Sequence, residues 1–240
     1  MTQSCQIIGM NQAQAALGLF DNATTLLSGP VVFRHQFINF ENLTVSASFS
    51  STGQQSSTCF AALGDSFAAG TTDGPGFGNF VQGTNSTSTN PIWNALGNLL
   101  SEPTAWDKQC QSPKPILLNT GGIHIPQHAP WTASVIPVQM FRIGQLYILG
   151  VPGEFTTMSG RRLRNQVRSV LTANGAADAN THIVIAGLSN EYIHYIATPE
   201  EYSTSLSLSL LLFFLDCALC TLVRRLLSLT IYALSHSLVR

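Results

Sequence analysis

The sequence predicts an α/β fold of mixed β-sheets flanked by helices, and three observations carry that prediction. Residues 134–151 (SVIPVQMFRIGQLYILGV) form two apolar runs that meet near Gly144, the pattern of two joined strands. Residues 156–173 place Leu163, Val167 and Val170 at helical spacing. Residues 182–188 (HIVIAGL) are a β-branched run of the buried-strand type.

The remaining elements follow in chain order. Residues 7–27 set Ala13, Ala16, Leu17 and Phe20 at helical spacing, with the helix ending near Asn22. Residues 31–50 carry Val31, Phe33, Phe37, Ile38, Phe40, Leu43 and Val45, which predicts two strands around an Asn39–Asn42 turn. Residues 51–58 read as a Ser/Gln/Thr loop. Residues 63–83 are dense in glycine, which suits backbone running close to something or positions needing positive φ. Pro91–Leu100 reads as a helix with proline in its first turn. Residues 113–119 predict a short strand, followed by the irregular TGGIHIPQHAPW. In 134–151 the expected buried faces are Val135, Val138, Met140, Ile143, Leu146 and Ile148. The helix over 156–173 starts at a Thr156 or Thr157 cap. No internal repeat is evident.

Of the 240 residues, 45% are hydrophobic and only 10% charged, against roughly 25% charged in an average soluble protein. The formal net charge of −1 gives no basis for a nucleic-acid partner. So little charge suits a protein that handles apolar material, or part of a larger body whose other pieces cover apolar surface. Five cysteines occur. Cys59 and Cys110 flank one motif-rich segment and could pair, while the Cys217–Cys220 C-x-x-C has no second ligand pair to make a zinc site. Sequons at Asn22, Asn42 and Asn85, with a plausible disulfide, tilt the chain toward the secretory pathway. Residues 1–30 nevertheless lack a basic region followed by an apolar one, so no signal peptide is expected there.

After Tyr202 the composition breaks into a Leu/Ser-rich tail, residues 203–240. It is expected to be sequence foreign to the domain, a translated intron or shifted frame. The alternative is a membrane-prone segment over 206–223, which Asp216 in mid-span disfavours.

Three clusters are candidates for chemistry. Gly64-Asp65-Ser66 resembles the nucleophile block of GDSL-type esterases, but the Asp-x-x-His pair that would supply the base is missing. His124 and His128 have the four-residue spacing of a helical metal pair, yet Pro126 and a preceding Gly-Gly make the segment a loop. The third cluster is VPGEFTTMSGRRLR (151–164) with GLSNEYIHYIATPEEY (187–202). Glu154 lies just past a strand end and before a helix, and Tyr192 and Tyr195 follow the end of another strand. Ligand sites in open α/β folds gather at such carboxyl ends. Taken alone, Glu154 is equally well explained as a carboxylate at a helix N-terminus.

The strings CFAALGDSFAAGTTDGPG, NPIWNALGNLL, CQSPKPILLNTG, PVQMFRIGQLYILGVPGEFTTMSGRRLR and VIAGLSNEYIHYIATPEEY run in the order and spacing of neutral ceramidases. On these residues 5–202 the chain is identified as resembling that family of zinc-dependent amidases, which split ceramide into sphingosine and fatty acid. The resemblance implies residues 1–202 as part of the ceramidase catalytic domain, its substrate a sphingolipid at or near a membrane surface. It implies Glu154 and Tyr195 as zinc ligands, with Tyr192 matching the first tyrosine of the family's Y-x-x-Y motif. It also implies a Cys59–Cys110 disulfide and a secreted or cell-surface location. The family's two histidine ligands and its catalytic serine belong to motifs N-terminal to these, and none of the six histidines here stands in one. Asp65 occupies a position where the family usually has an aromatic residue, so the GDS string is a coincidental substitution. The chain is therefore expected to bind zinc weakly and to be inactive alone. The alternatives are a catalytically dead, membrane-tethered lipid-binding product, or a Ser66 esterase.

Overall fold

The computed structural model describes residues 2–50, 53–69, 91–112, 114–125 and 129–204, with Gly74, Gly76 and Phe80 singly. Asn85, His128, Cys217, Cys220 and the tail beyond Thr204 lie outside the described residues.

The chain opens with helix α1 (Thr2–Asp21), strand β1 (Val31–Asn39) and the short strands β2 (Thr44–Val45), β3 (Ser56–Ser57) and β4 (Leu63–Gly64). Helices α2 (Asp65–Ala68), α3 (Pro91–Ser101) and α4 (Ala105–Gln111) follow, then β5 (Ile116–Leu118), β6 (His124–Ile125) and β7 (Ala129–Pro130). The remainder is β8 (Val135–Ile143), β9 (Leu146–Gly150), β10 (Glu154–Phe155), α5 (Thr157–Ala173), β11 (His182–Ala186), β12 (Tyr195–Ile196) and α6 (Pro199–Thr204). The fold is mixed α/β.

The main sheet has the order β1-β8-β9-β11. β8 runs antiparallel to both β1 and β9, whereas β9 and β11 are parallel, with α5 between them in sequence. The β8–β9 turn needs glycine: Gly144 has φ +58, and a Cβ there would meet Ser28 O at 2.4 Å. Ile136, Val138 and Met140 of β8 and Tyr147 and Leu149 of β9 share one core with Leu163, Val167 and Leu171 of α5. Burying each such aliphatic side chain contributes roughly 1.5–3 kcal/mol.

The strand faces differ in part from expectation. Val138 and Met140 are buried, but Val135 and Ile143 are exposed at the two ends of β8, and Ile136 takes the inward position. In β9 the core residues are Tyr147 and Leu149, and Leu146 and Ile148 are half-buried on the other face. The apolar character of both faces hid the phase of the alternation. β11 is an edge strand with Ile183 buried and Val184 exposed, so it is covered on one face rather than two. Short pairings also occur where loops were expected. β3 pairs with β2, and β6 pairs with β7 inside TGGIHIPQHAPW.

Thr156 caps α5, its hydroxyl accepting from Ser159 N, and Asn174 followed by Gly175 at φ +67 ends it. α4 has no expectation behind it. A capping box builds it: the Thr104 hydroxyl accepts from Asp107 N, and the Asp107 carboxylate accepts from Thr104 N. Cys110 of this helix forms a disulfide with Cys59. α1 has no buried residue, and its Leu17 and Phe20 are exposed.

Candidate metal centre

Because β9 and β11 are parallel, their carboxyl ends lie at one edge of the sheet. The chain leaving β9 runs through Pro152-Gly153 into β10, and the chain leaving β11 loops through 187–194 into β12. β10 and β12 then pair in parallel, with Glu154 in register with Tyr195 and Phe155 with Ile196.

Backbone hydrogen bonds stitch the two segments together. Val151 N donates to Ala186 O, Ser189 N to Val151 O, Ile193 N to Pro152 O, Glu154 N to His194 O, and Thr156 N to Ile196 O, at 2.8–3.1 Å. Gly153 is required by the closeness of this approach, since a Cβ would lie 2.8 Å from Ile196 Cδ1 and 3.0 Å from His194 O. The 187–194 loop holds Leu188, Asn190 and His194 at φ values of 57 to 67°. Non-glycine residues in that region are strained, and such strain concentrates where a fold must aim particular side chains.

The side chains converge on one carboxylate. Tyr192 donates its hydroxyl to Glu154 Oε1 at 2.6 Å. Burial, then the bond to Glu154 and the charge of Glu154, push the Tyr192 phenol up to about 12. The Glu154 charge is the largest influence on Tyr195, raising its phenol as well. His194 lies against Tyr192, ring centroids 5.0 Å apart, and edge-on to Phe67. Its burial holds the imidazole below its ordinary value, against the opposing pull of Glu154. His194 is therefore a neutral ring beside a carboxylate shared by two phenols.

A second set of contacts fixes the backbone behind this cluster. Ser159, fully buried, donates its hydroxyl to Ile196 O at 2.5 Å. Thr156 Oγ1 donates to Glu201 Oε2 at 2.5 Å, and Thr198 N donates to the same oxygen at 2.9 Å. Glu201 N donates back to Thr198 Oγ1, completing a capping box on α6. Burial alone would raise the Glu201 carboxyl, but the donors from Thr156 and Thr198 prevail and hold it below the usual range. One carboxylate thus ties the start of α5 to the start of α6.

The structure brings together Glu154, Tyr192 and Tyr195, and adds His194, Ser159 and Glu201, which the sequence did not single out. The T-x-x-E spacing of Thr198 and Glu201 is the pattern that could have revealed the clamp. His124 sits in β6 opposite Pro130, which rules out a helical pairing with position 128. Asn22 and Asn42 are exposed. Ser66 lies in α2.

Zinc takes carboxylate and other oxygen, nitrogen or sulfur donors, usually four of them. The Glu154 carboxylate and the Tyr195 phenol fit two of those positions. Among the described residues no group of three His, Cys, Asp or Glu side chains is placed to hold a metal. The fit is to part of a centre.

Comparison with known proteins agrees on a single family. The family described as Neutral/alkaline non-lysosomal ceramidase, N-terminal, matches residues 1–205. The chain is 52% identical over 202 residues to neutral ceramidase B of Dictyostelium discoideum, covering 84% of this chain and 27% of that protein. It is 50% identical over 202 residues to the neutral ceramidase of Oryza sativa subsp. japonica, covering 83% and 25%. Among solved structures, neutral ceramidase from Pseudomonas aeruginosa superposes with a TM-score of 0.71 at 31% identity, covering 94% of this chain and 32% of that one. A ceramidase complexed with C2 gives 0.72 at 36% identity, covering 92% and 33%. The chain spans about a quarter of the length of these curated relatives.

Proposed function

The chain belongs to the neutral/alkaline non-lysosomal ceramidase family, and on that premise we propose that residues 1–202 form part of a zinc-dependent ceramidase catalytic domain. The reaction is hydrolysis of the amide of N-acylsphingosines to sphingosine and fatty acid. The convergence of Tyr192 and Tyr195 on Glu154, at the carboxyl ends of two parallel strands, is the observation that carries this reading.

Glu154 and Tyr195 would hold the zinc as oxygen ligands. When bound, zinc supplies a Lewis acid for an amide carbonyl and acidifies water toward neutral pH. The residues here do the positioning. Tyr192 donates to Glu154 Oε1 and so fixes the rotation of the carboxylate, leaving Oε2 for another partner. The β10–β12 register sets the spacing of Glu154 and Tyr195. His194 packs its ring against Tyr192, centroids 5.0 Å apart, and so helps hold the phenol in place. Glu154 and Tyr195 supply two oxygen donors, two short of a usual zinc site, and among the described residues no group of three His, Cys, Asp or Glu completes one, so the chain by itself is expected to bind zinc weakly and to hydrolyse nothing detectable.

The exposed sequons at Asn22 and Asn42 and the Cys59–Cys110 disulfide favour an oxidising, secretory location. The catalytic reading is tested by replacing the matching segment of the Dictyostelium neutral ceramidase B with residues 1–202 and assaying fatty-acid release from a short-chain ceramide. The chimera is expected to turn over, and Glu154→Gln in it to be inactive while still folded. A folded chimera that releases no fatty acid overturns the reading, and so does an E154Q chimera with full activity.

A further inference from the structure

The pairing that sets Glu154 beside Tyr195 is too short to hold itself. β10 and β12 share a ladder of two residues, Glu154 with Tyr195 and Phe155 with Ile196, and an isolated two-stranded pairing is marginal at best in water. Its upstream end is closed by packing and backbone bonds, with Gly153 against Ile196 and Ile193 N donating to Pro152 O. The downstream end lies where the two strands part, β10 into α5 through Thr156 and β12 into α6 through Thr198. There Thr156 N and the buried Ser159 hydroxyl both donate to Ile196 O, at 3.0 and 2.5 Å. Glu201 closes what remains. Its Oε2 accepts from Thr156 Oγ1 at 2.5 Å and from Thr198 N at 2.9 Å.

This carboxylate does more than cap a helix. The capping box on α6 needs only the two bonds exchanged between Thr198 and Glu201. The Thr156 hydroxyl is an additional donor from 45 positions away, and α6 has no use for it. Thr156 stands two residues beyond Glu154, and Thr198 three beyond Tyr195. A single oxygen therefore spans the two segments directly behind the Glu154–Tyr195 pair. Thr198 is buried at 2% exposure and Ile196 completely, so the clamp grips backbone inside the packed region rather than a fraying end. Hydrogen bonds to a carboxylate are roughly twice as strong as neutral ones, which suits one side chain to holding a ladder of this length.

We propose that Glu201 is a positioning residue for the Glu154–Tyr195 pair, its carboxylate clamping Thr156 to Thr198 so that β10 and β12 keep the register that brings the two side chains together. Its effect on metal binding rests on the reading of that pair as zinc ligands, whereas its effect on the backbone does not. The test is made on the full 240-residue chain. Without metal, nuclear magnetic resonance couplings across the hydrogen bonds from Glu154 N to His194 O and from Thr156 N to Ile196 O report the pairing, with the β8–β9 couplings as internal reference. Glu201→Ala should weaken or abolish both β10–β12 couplings and leave the reference unchanged. Thr156→Val removes the other half of the clamp, leaves the α6 capping box intact and should do the same. Glu201→Gln, whose amide oxygen can accept from both donors, should retain them. Zinc titration followed at tyrosine Cζ should then give an affinity about tenfold weaker in E201A than in the parent, as for the loss of an outer-shell partner. Unchanged β10–β12 couplings in folded E201A, or in T156V, reduce Glu201 to a cap of α6 and overturn the proposal. Equal zinc affinity in E201A and the parent overturns the link to the ligand pair. A parent chain in which zinc leaves Tyr195 unmoved overturns the zinc reading, and the couplings alone then decide the clamp.

Discussion

Substitution of Gly153 by alanine tests how the candidate centre is assembled. The new Cβ would stand 2.8 Å from Ile196 Cδ1, 3.1 Å from Ile196 Cγ1 and 3.0 Å from His194 O. Ile196 is fully buried and has no free direction to swing. His194 O is backbone, and it already accepts from Glu154 N at 2.9 Å. Relief must come from β12 moving away from β10, which lengthens that bond and draws the tyrosines off Glu154. Overpacking of this kind costs about 1–3 kcal/mol. The backbone of Gly153 is not left-handed, so alanine also removes unfolded-state freedom, a gain of about 0.4–1 kcal/mol. The net expectation is a loss of about 1 kcal/mol, measured by urea unfolding. The same variant should lower the Tyr192 phenol from about 12 toward 10 in an ultraviolet titration. A G153A chain as stable as the parent, with Tyr192 still titrating near 12, would refute the close-approach account.

Three further outcomes are expected. Replacing Cys59 and Cys110 by serine opens a loop with a sequence separation of 51 residues, and the chain-entropy relation gives a loss of about 4 kcal/mol, read from urea midpoints under oxidising conditions. Leu163→Ala, at a fully buried position where α5 meets the sheet, should cost about 2.7–5 kcal/mol in the same assay. Acid should loosen the α5–α6 contact. Hydrogen bonds from Arg162 foremost hold the Glu200 carboxyl at about 2, against an unfolded value of 4.5. A depressed carboxylate stabilises the fold above its unfolded value and loses that contribution as pH falls from 4.5 toward about 2. The pair is largely exposed, so the effect is at most about 1 kcal/mol. Arg162→Gln should flatten the slope of thermal midpoint against pH over that window, and an unchanged slope would contradict it.

The long elements were legible because each carries its own local pattern. α5 has a capping threonine and inward residues every three to four positions, and β8 and β9 are separated by a glycine that only glycine can replace. The short pairings β2–β3, β6–β7 and β10–β12 were not legible, since two residues give no periodicity. Their partners are chosen by tertiary approach. The phase of β8 and β9 was ambiguous because both faces are apolar, which left Ile136 and Tyr147 unrecognised as core positions. In the candidate centre, Glu154 and Tyr195 were named through motif resemblance, since neither spacing nor propensity distinguishes a ligand carboxylate from a helix-start carboxylate. The Thr156–Glu201 clamp joins residues 45 positions apart and leaves only its local T-x-x-E trace in the sequence.

The central claim is that Glu154 and Tyr195 act as one pair of metal ligands, and zinc titrated into chain isotope-labelled at tyrosine Cζ tests it most directly. Zinc should move the Tyr195 resonance, assigned by Tyr195→Phe, with weak affinity, and Glu154→Gln should abolish the shift while the fold persists. Zinc that binds E154Q as it binds the parent, or that leaves Tyr195 unmoved at saturation, would contradict the account.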